Sequence, residues 1–442
     1  MNKLLFIINY RSYVMNIDIL QIIINYCDVK TQIRCMMIDT YTYDNIYIYS
    51  LNADMNYRVD QNVIEQKKFS RIKYLNCSNN EKIKNLNHLA ETLKTLKCIQ
   101  FSGIDQNGIS NLKKLKSIDC SLNQKIYSVS HLGNTLEELY CSEWSGVTQK
   151  GINGLKKLKI MDCSGNKEIY NVNSMSETLE ILDISTLDYE PPYLDIRKCG
   201  ITQNGIANLK KIQVLKCSLN NKIYNVNHLS DTLETLMCSG SNIDQQGISK
   251  LKIIKKLDCG YQTNICSVFH IKDTLINLDC SGDCGIDQSE IDKLENLKKL
   301  YCSGNNKIKN VSHLSKSLEV LDCSYDSGIN QESINNLSNV RSLYCSNNEK
   351  IFDVNHLADT LKKLYCSENS GISQQGITKL NKIIEFKCCE NMNIKNIDHL
   401  FGTLEILKCS REFTRSLNIR KFKKLKYVNG TEIQFYYRYG YI

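Results

Sequence analysis

Leu112 to Ile126 reads Leu-Lys-Lys-Leu-Lys-Ser-Ile-Asp-Cys-Ser-Leu-Asn-Gln-Lys-Ile. Its kernel is an apolar residue, a free position, Cys and then usually Ser. The kernel recurs at Cys77, Cys98, Cys120, Cys141, Cys163, Cys217, Cys238, Cys259, Cys280, Cys302, Cys323, Cys345, Cys366, Cys388 and Cys409, with Ile184 on the one missing rung. Steps are 21 or 22 residues, except for 33 between Ile184 and Cys217. A fixed period in this range predicts a solenoid, whose units bury their apolar faces only by stacking on one another.

The array takes up residues 72–410, with a short extension at 1–14, a helical module or cap at 15–71 and a C-terminal cap at 411–442. The net charge of +9 comes from 56 basic and 47 acidic residues. That is a mild excess without a long basic run, and it argues only weakly for nucleic acid. Of the 21 cysteines, fifteen occupy the kernel. Stacked Cβ vectors point the same way and suit disulfides poorly, and free Cys behaves as a small buried hydrophobe. Reduced thiols imply a reducing, cytoplasmic setting. Leu4 to Ile8 is too short an apolar run for a signal core or a membrane span.

Two unit types alternate. In the first, Asn stands three residues after the Cys (Asn80, Asn123, Asn166, Asn220, Asn305, Asn348, Asn391), with Gln262 in the eighth copy. Such side chains can bond the backbone where a strand turns, and stacked copies are expected to form a ladder. The second carries Gly-Ile-Asp-Gln-Asn-Gly-Ile at 103–109 and its variants. There Asp105, Thr148, Thr202, Asp244, Asp287, Asn330 and Ser373 are N-cap types. Each is expected to open a short helix such as 106–115, with Ile109, Leu112 and Leu115 facing inward.

All seven histidines share one slot of the first unit: His88, His131, His228, His270, His313, His356 and His399. Copies two coils apart are separated by about 10 Å, too far to share a metal ion. A repeated hydrogen-bonding role is expected instead. Cys259, Cys266, Cys280 and Cys284 form the densest cysteine group but lack paired C-x-x-C spacing. Neither a nucleophile motif nor a phosphate loop appears, so no catalytic residue, metal or cofactor is expected.

The kernel resembles the leucine-rich repeat, Leu-x-x-Leu-x-Leu-x-x-Asn, with Cys at the third apolar position. Ile201-Thr202-Gln203-Asn204-Gly205-Ile206 resembles the signature of its cysteine-containing subtype. The resemblance implies an α/β solenoid, a horseshoe with about 16 parallel strands on the concave face and a small helical N-terminal module. The concave residue of each strand then lies between the apolar position and Cys. In order these are Asn76, Lys97, Asp119, Tyr140, Asp162, Asp183, Lys216, Met237, Asp258, Asp279, Tyr301, Asp322, Tyr344, Tyr365, Lys387 and Lys408. Tyr among mixed charges suits a protein target, whereas nucleic acid would require basic residues. The candidate target-binding residues are Tyr140, Tyr301, Tyr344 and Tyr365. Tyr189 and Tyr193 join them from an insertion at about 187–197, which holds both prolines of the chain.

The N-terminal module has apolar positions at 17, 20, 23, 24 and 27, the period of a helix, and Asp28 can cap a second one. With Tyr26-Cys27-Asp28, Ile33 and Cys35-Met36-Met37 it resembles an F-box, the segment that docks on the Skp1 adaptor of cullin-type ubiquitin ligases. The family's opening Leu-Pro is Ile17-Asp18 here, and its late Trp is missing. The resemblance implies adaptor-binding residues Ile17, Leu20, Ile23, Tyr26, Ile33 and Met36. A stand-alone scaffold whose N-terminus is only a cap remains the alternative, and a nucleic-acid binder a third. The Asn-, Ile-, Lys- and Tyr-rich usage looks like that of proteins from large AT-rich DNA viruses or amoebae.

Overall fold

A computed structural model of the chain describes residues 17–27, 29–38, 40–56, 58–186 and 198–432. The insertion at 187–197, with Tyr189 and Tyr193, and the aromatic C-terminal tail lie outside the described residues. The chain divides into two units, Met1–Ile212 and Gln213–Ile442.

Both units have the leucine-rich repeat architecture. Each coil contributes a three-residue strand that pairs in parallel and in register with the next, as in Leu75↔Leu96 and Leu278↔Leu300. The middle residue of each strand is buried and the residues beside it are half-exposed, as in Ser117–Asp119 and Asn277–Asp279. Alternation along a strand therefore sends the Leu inward and the Asp or Tyr to the open face. Among the described residues eighteen strands pair in parallel with a neighbour, where about 16 were expected. Ser50–Asn52 and Tyr427–Val428 pair on at the ends, although neither carries the Cys kernel.

Every described kernel cysteine is at most 4% exposed. The thiols donate to the backbone carbonyl of the following strand, as from Cys98 Sγ to Asp119 O (3.6 Å), Cys238 to Asp258 O (3.3 Å) and Cys259 to Asp279 O (3.4 Å). Burial pushes Cys77, Cys120, Cys302 and Cys345 up to about 12, so each keeps its proton. A small side chain with one weak donor thus fits a stack in which a larger one would force the coils apart.

Two residues past the kernel Cys the backbone turns through positive φ in both units. Gly occupies this position at Gly165, Gly240, Gly282 and Gly304, and Asn at Asn79 and Asn347. Leu122, Glu143, Leu219, Tyr261, Tyr325, Glu368 and Glu390 adopt the same left-handed conformation, which costs an ordinary side chain about 1–2 kcal/mol.

The expected 106–115 helix is shorter in the structure. Gln106–Ile109 is a single turn, and the chain continues irregularly to the buried Leu112 and Leu115. The caps are as expected at Asp105, Asp244, Asp287 and Asn330, whose side chains accept a first-turn N–H. Thr148 and Ser373 do the same through their hydroxyls. Thr202 makes no such side-chain bond; its carbonyl takes the Gly205 N–H instead.

Over residues 17–45 there are three helices rather than the two expected, α1 (Ile17–Asn25), α2 (Val29–Met36) and α3 (Thr40–Asn45), and the single turns Gln61–Ile64 and Lys67–Phe69 follow before the array. Gln21 holds α1 against the chain that follows. Its Nε2 donates to the Tyr47 carbonyl (3.0 Å) and its Oε1 accepts the Tyr47 N–H (2.8 Å). Cations of the first coil cover the tyrosines, with Lys68 over Tyr43 at 2.8 Å and Arg71 over Tyr47 at 3.9 Å from the ring centroids.

Candidate functional site

The candidate residues lie on the open strand face of each unit and on the outward side of the N-terminal helices.

On the strand face the first unit places Tyr140 in register between Asp119 and Asp162. The second unit repeats the arrangement, with Tyr301 between Asp279 and Asp322, and Asp258 beside Asp279. The Asp side chains are tied by one oxygen to the end of their own strand. Asp279 Oδ1 accepts from Ser281 N (3.1 Å) and Ser281 Oγ (2.7 Å), and Asp322 Oδ1 accepts from Ser324 N (3.1 Å). Burial first, and the neighbouring carboxylates second, raise Asp279 above its ordinary value. Burial also raises Asp322, Tyr140 and Tyr301. Like charges about 4.8 Å apart on adjacent strands therefore repel, and no ion pair relieves Asp258, Asp279 or Asp322 among the described residues.

Tyr344 and Tyr365 follow on the next strands and meet edge to face, with centroids 4.6 Å apart and an interplanar angle of 85°. Tyr365 is already engaged. Its hydroxyl donates to Glu385, and the Lys387 ammonium lies 3.6 Å over its ring. Burial and Glu385 push its phenol well above the ordinary value. Burial alone would raise Glu385, but the Tyr365 hydroxyl and Lys363 outweigh it and hold the carboxyl below the usual range. Among the described residues Tyr140, Tyr301 and Tyr344 carry no such clamp on their hydroxyls.

On the N-terminal helices the inward side is Leu20 and Ile24, at 5% and 0% exposure. Leu20, read from the sequence as an adaptor contact, thus packs into the module. Ile23 and Tyr26 point outward together with Ile19 and Ile22, which the sequence reading did not single out. Tyr26 is 90% exposed. From α2 Ile33 is exposed, and Met37 follows just past Met36, the residue that ends the helix. Ile17 at the start of α1 is half-buried. The expected stripe 17, 20, 23, 24 and 27 is therefore split, because one amphipathic helix presents two apolar sides to different surroundings.

The repeated histidines are structural. Nε2 of His88, His131, His270 and His313 lies 3.0–3.1 Å from the carbonyl oxygens of Ile64, Ile109, Ile248 and Ile291 in the preceding coil. A carbonyl only accepts, so each Nε2 carries the proton. The asparagines bridge unlike coils rather than forming a ladder of their own kind. Asn123 Nδ2 donates to Cys98 O (2.9 Å) and Ile104 O (3.1 Å) of the preceding second-type coil, and its Oδ1 accepts Lys125 N (3.0 Å). Asn305, Asn348 and Asn391 repeat the pattern, and Gln262 reaches Cys238 O and Ser241 O. Of the cysteine group around 259–284, Cys266 is exposed while Cys259 and Cys284 are buried with sulfurs 3.7 Å apart. Among the described residues no group of three or more His, Cys, Asp or Glu could hold a metal ion, and no helix is long and apolar enough to cross a membrane.

Residues 273–316 match the family model described as Leucine Rich repeats (2 copies). No curated protein matches the chain. Among solved structures the chain is similar to an LRR protein of Leptospira interrogans, at 18% identity over 81% of this chain and 96% of that one (TM-score 0.45). It is also similar to the functional domain of InlJ from Listeria monocytogenes, which includes a cysteine ladder, at 20% identity over 73% and 74% (TM-score 0.44). Rad7, solved in complex with Elc1 in yeast, is similar at 12% identity over 94% of this chain and 93% of that one (TM-score 0.45).

Proposed function

We propose that the chain is a non-enzymatic recognition protein that holds a protein target on its strand face and docks through its N-terminal helices on a Skp1-like adaptor of a cullin-type ubiquitin ligase. The observation that carries the adaptor half is the outward apolar side of α1 and α2. Ile19, Ile22, Ile23, Tyr26 and Ile33 stay exposed although Leu20 and Ile24 are buried and Gln21 already fastens α1 to the chain at Tyr47. Exposed clusters of this kind mark interaction sites. The target half rests on Tyr140, Tyr301 and Tyr344 set among carboxylates, an arrangement that suits a protein partner and would repel nucleic-acid phosphates.

The test is a pull-down of Skp1 by the full chain against an Ile22→Glu, Ile23→Glu variant. Capture by the parent chain and at least tenfold weaker capture by the variant is the expected result. The Gln21–Tyr47 clamp favours a second reading, a scaffold whose helices only cap the array. That reading holds if neither protein captures Skp1.

A further inference from the structure

The slot that packs against the kernel cysteine from the next second-type coil is filled by Ser102, Ser145, Ser327 and Ser370, whose Oγ atoms lie 3.8–3.9 Å from Cys77, Cys120, Cys302 and Cys345. In two copies it is a cysteine. Cys284 faces Cys259 with sulfurs 3.7 Å apart, both fully buried. Cys199, 1% exposed, fills the slot ahead of Gly200 and shares a hydrogen bond with Cys163. One such pair stands in each unit.

We propose that Cys259–Cys284 and Cys163–Cys199 are dithiol sites at which a disulfide forms, linking the kernel strand of a first-type coil to the bend of the second-type coil that follows. Stacked kernel cysteines point the same way, and this geometry keeps them from joining one another. The Cys259 and Cys284 sulfurs already lie 3.7 Å apart, so closure to the about 2.05 Å of a disulfide needs an approach of less than about 2 Å.

The surroundings of the first pair give its members different parts. Cys259 and Cys284 share a hydrogen bond, the Ile286 backbone also bonds Cys284, and the Lys307 ammonium donates to the Cys284 carbonyl. The bond to Cys259 lowers the Cys284 thiol, whereas the same bond and burial raise Cys259. The Lys307 ammonium at the Cys284 carbonyl and the Ile286 backbone bond set this residue apart from Cys259 and favour its thiolate, which is the attacking group. Its sulfur displaces water from hydrogen peroxide: an S–O bond forms, the O–O bond breaks and the departing oxygen takes up a proton. Cys259 then attacks the sulfur of the sulfenic acid and loses its own proton. The S–S bond forms, the S–O bond breaks and a second water leaves. Two thiols and one peroxide give one disulfide and two waters, and two electrons pass from sulfur to oxygen.

The second pair has a further consequence in sequence. Cys199 is the second residue after the 187–197 insertion, and Cys163 lies on the coil before it. A disulfide there encloses the insertion in a covalent loop.

The test uses the full chain, titrated with hydrogen peroxide in the native state, then alkylated and mapped under non-reducing conditions. Exposed Cys266 reports that the oxidant has acted. The expected result is cross-linked Cys259–Cys284 and Cys163–Cys199 peptides ahead of any link between kernel cysteines. In Cys284→Ser the first link is lost and the second remains. Ser is the residue of that slot in the five other second-type coils, Ser241 included, so this variant folds, as circular dichroism and a cooperative melt will show. Oxidation of Cys266 with both pairs still alkylated would overturn the proposal, as would linking of neighbouring kernel cysteines at the same rate.

Discussion

The residues that join one coil to the next are polar and buried, and their loss leaves partners stranded. Asn123→Ala removes both ends of a bridge and orphans the Cys98 and Ile104 carbonyls and the Lys125 N–H. A cost of about 3 kcal/mol is expected, against less than about 0.5 kcal/mol for Asn111→Ala on the exposed side of the preceding coil. Urea denaturation of both variants checks this. The histidines add a pH dependence. Burial lowers His131 and His356, and the carbonyls of Ile109 and Ile334 only partly offset it. The unfolded chain then binds more protons than the folded one between the two pKa values. Their contribution is complete above about pH 6.5 and is lost as pH falls through the folded values. Melting temperatures at pH 7.5 and 5.5 should differ, and His131→Gln with His356→Gln should narrow the difference. The single histidine slot and the asparagine positions were both legible in sequence, because a side chain repeated at one register announces a shared environment. The direction of the asparagine bonds was not, because sequence spacing does not say which neighbouring coil a side chain reaches. The left-handed position was missed as well. Gly165, Gly240, Gly282, Gly304, Asn79 and Asn347 at one offset carried the signal, but bulky residues in the other copies hid it. Leu122→Gly should stabilise the protein by about 0.5–1 kcal/mol, since it removes the side-chain clash at positive φ at a smaller cost in unfolded-state entropy.

At the level of the element, one glycine position shows how a coil closes on its predecessor. Gly108, Gly151, Gly205, Gly247 and Gly376 each offer their carbonyl to a backbone N–H of the preceding coil, Val226 N in the case of Gly247. A Cβ on Gly247 would overlap the Tyr224 carbonyl oxygen. Two copies lack the glycine and solve the problem differently. Glu290 Oε2 takes the Val268 N–H (2.9 Å), and Ser333 Oγ takes the Val311 N–H (3.2 Å). The coil can therefore stand off, provided that an oxygen on the side chain replaces the lost carbonyl contact. Gly247→Ala should cost about 2–3 kcal/mol, and Gly247→Ser should recover at least half of that, as measured by thermal melts. The sequence marked these turns as helices with N-caps, and the caps are present. Their brevity was hidden because Ile109, Leu112 and Leu115 are buried whether the backbone between them is helical or not. At α1 the reverse happened. Apolar residues on two sides gave one apparent stripe, and only packing separates Leu20 and Ile24 from Ile23 and Tyr26.

Over the molecule as a whole, charge is distributed against its own sum. The chain carries +9, yet the strand face of the second unit presents Asp258, Asp279 and Asp322 without an ion pair among the described residues. Repulsion there is a standing cost. Asp279 is raised in the folded state, so its stability contribution is complete below the unfolded pKa and is lost as pH rises through the folded one. Asp279→Asn should therefore raise the melting temperature at pH 7, and the gain should vanish as pH falls and the parent carboxyl takes up its proton. Residues that weaken the fold while keeping their charge are those expected at a binding surface. The fold class was readable end to end from a single recurring cysteine. The surface was readable only as a column of residue names, because whether a tyrosine such as Tyr365 is spoken for by its neighbours depends on contacts that the repeat does not encode.

The bridging asparagines also set the step in which such a chain can change length. Each first-type coil leans on a second-type coil and offers the next one a different edge. Deleting Ser281 to Cys323 removes one of each and rejoins matching ends. Deleting only Ser281 to Cys302 sets two like coils against each other, with bonding groups on both sides and receivers on neither. Duplication or loss within this array is therefore quantised in pairs.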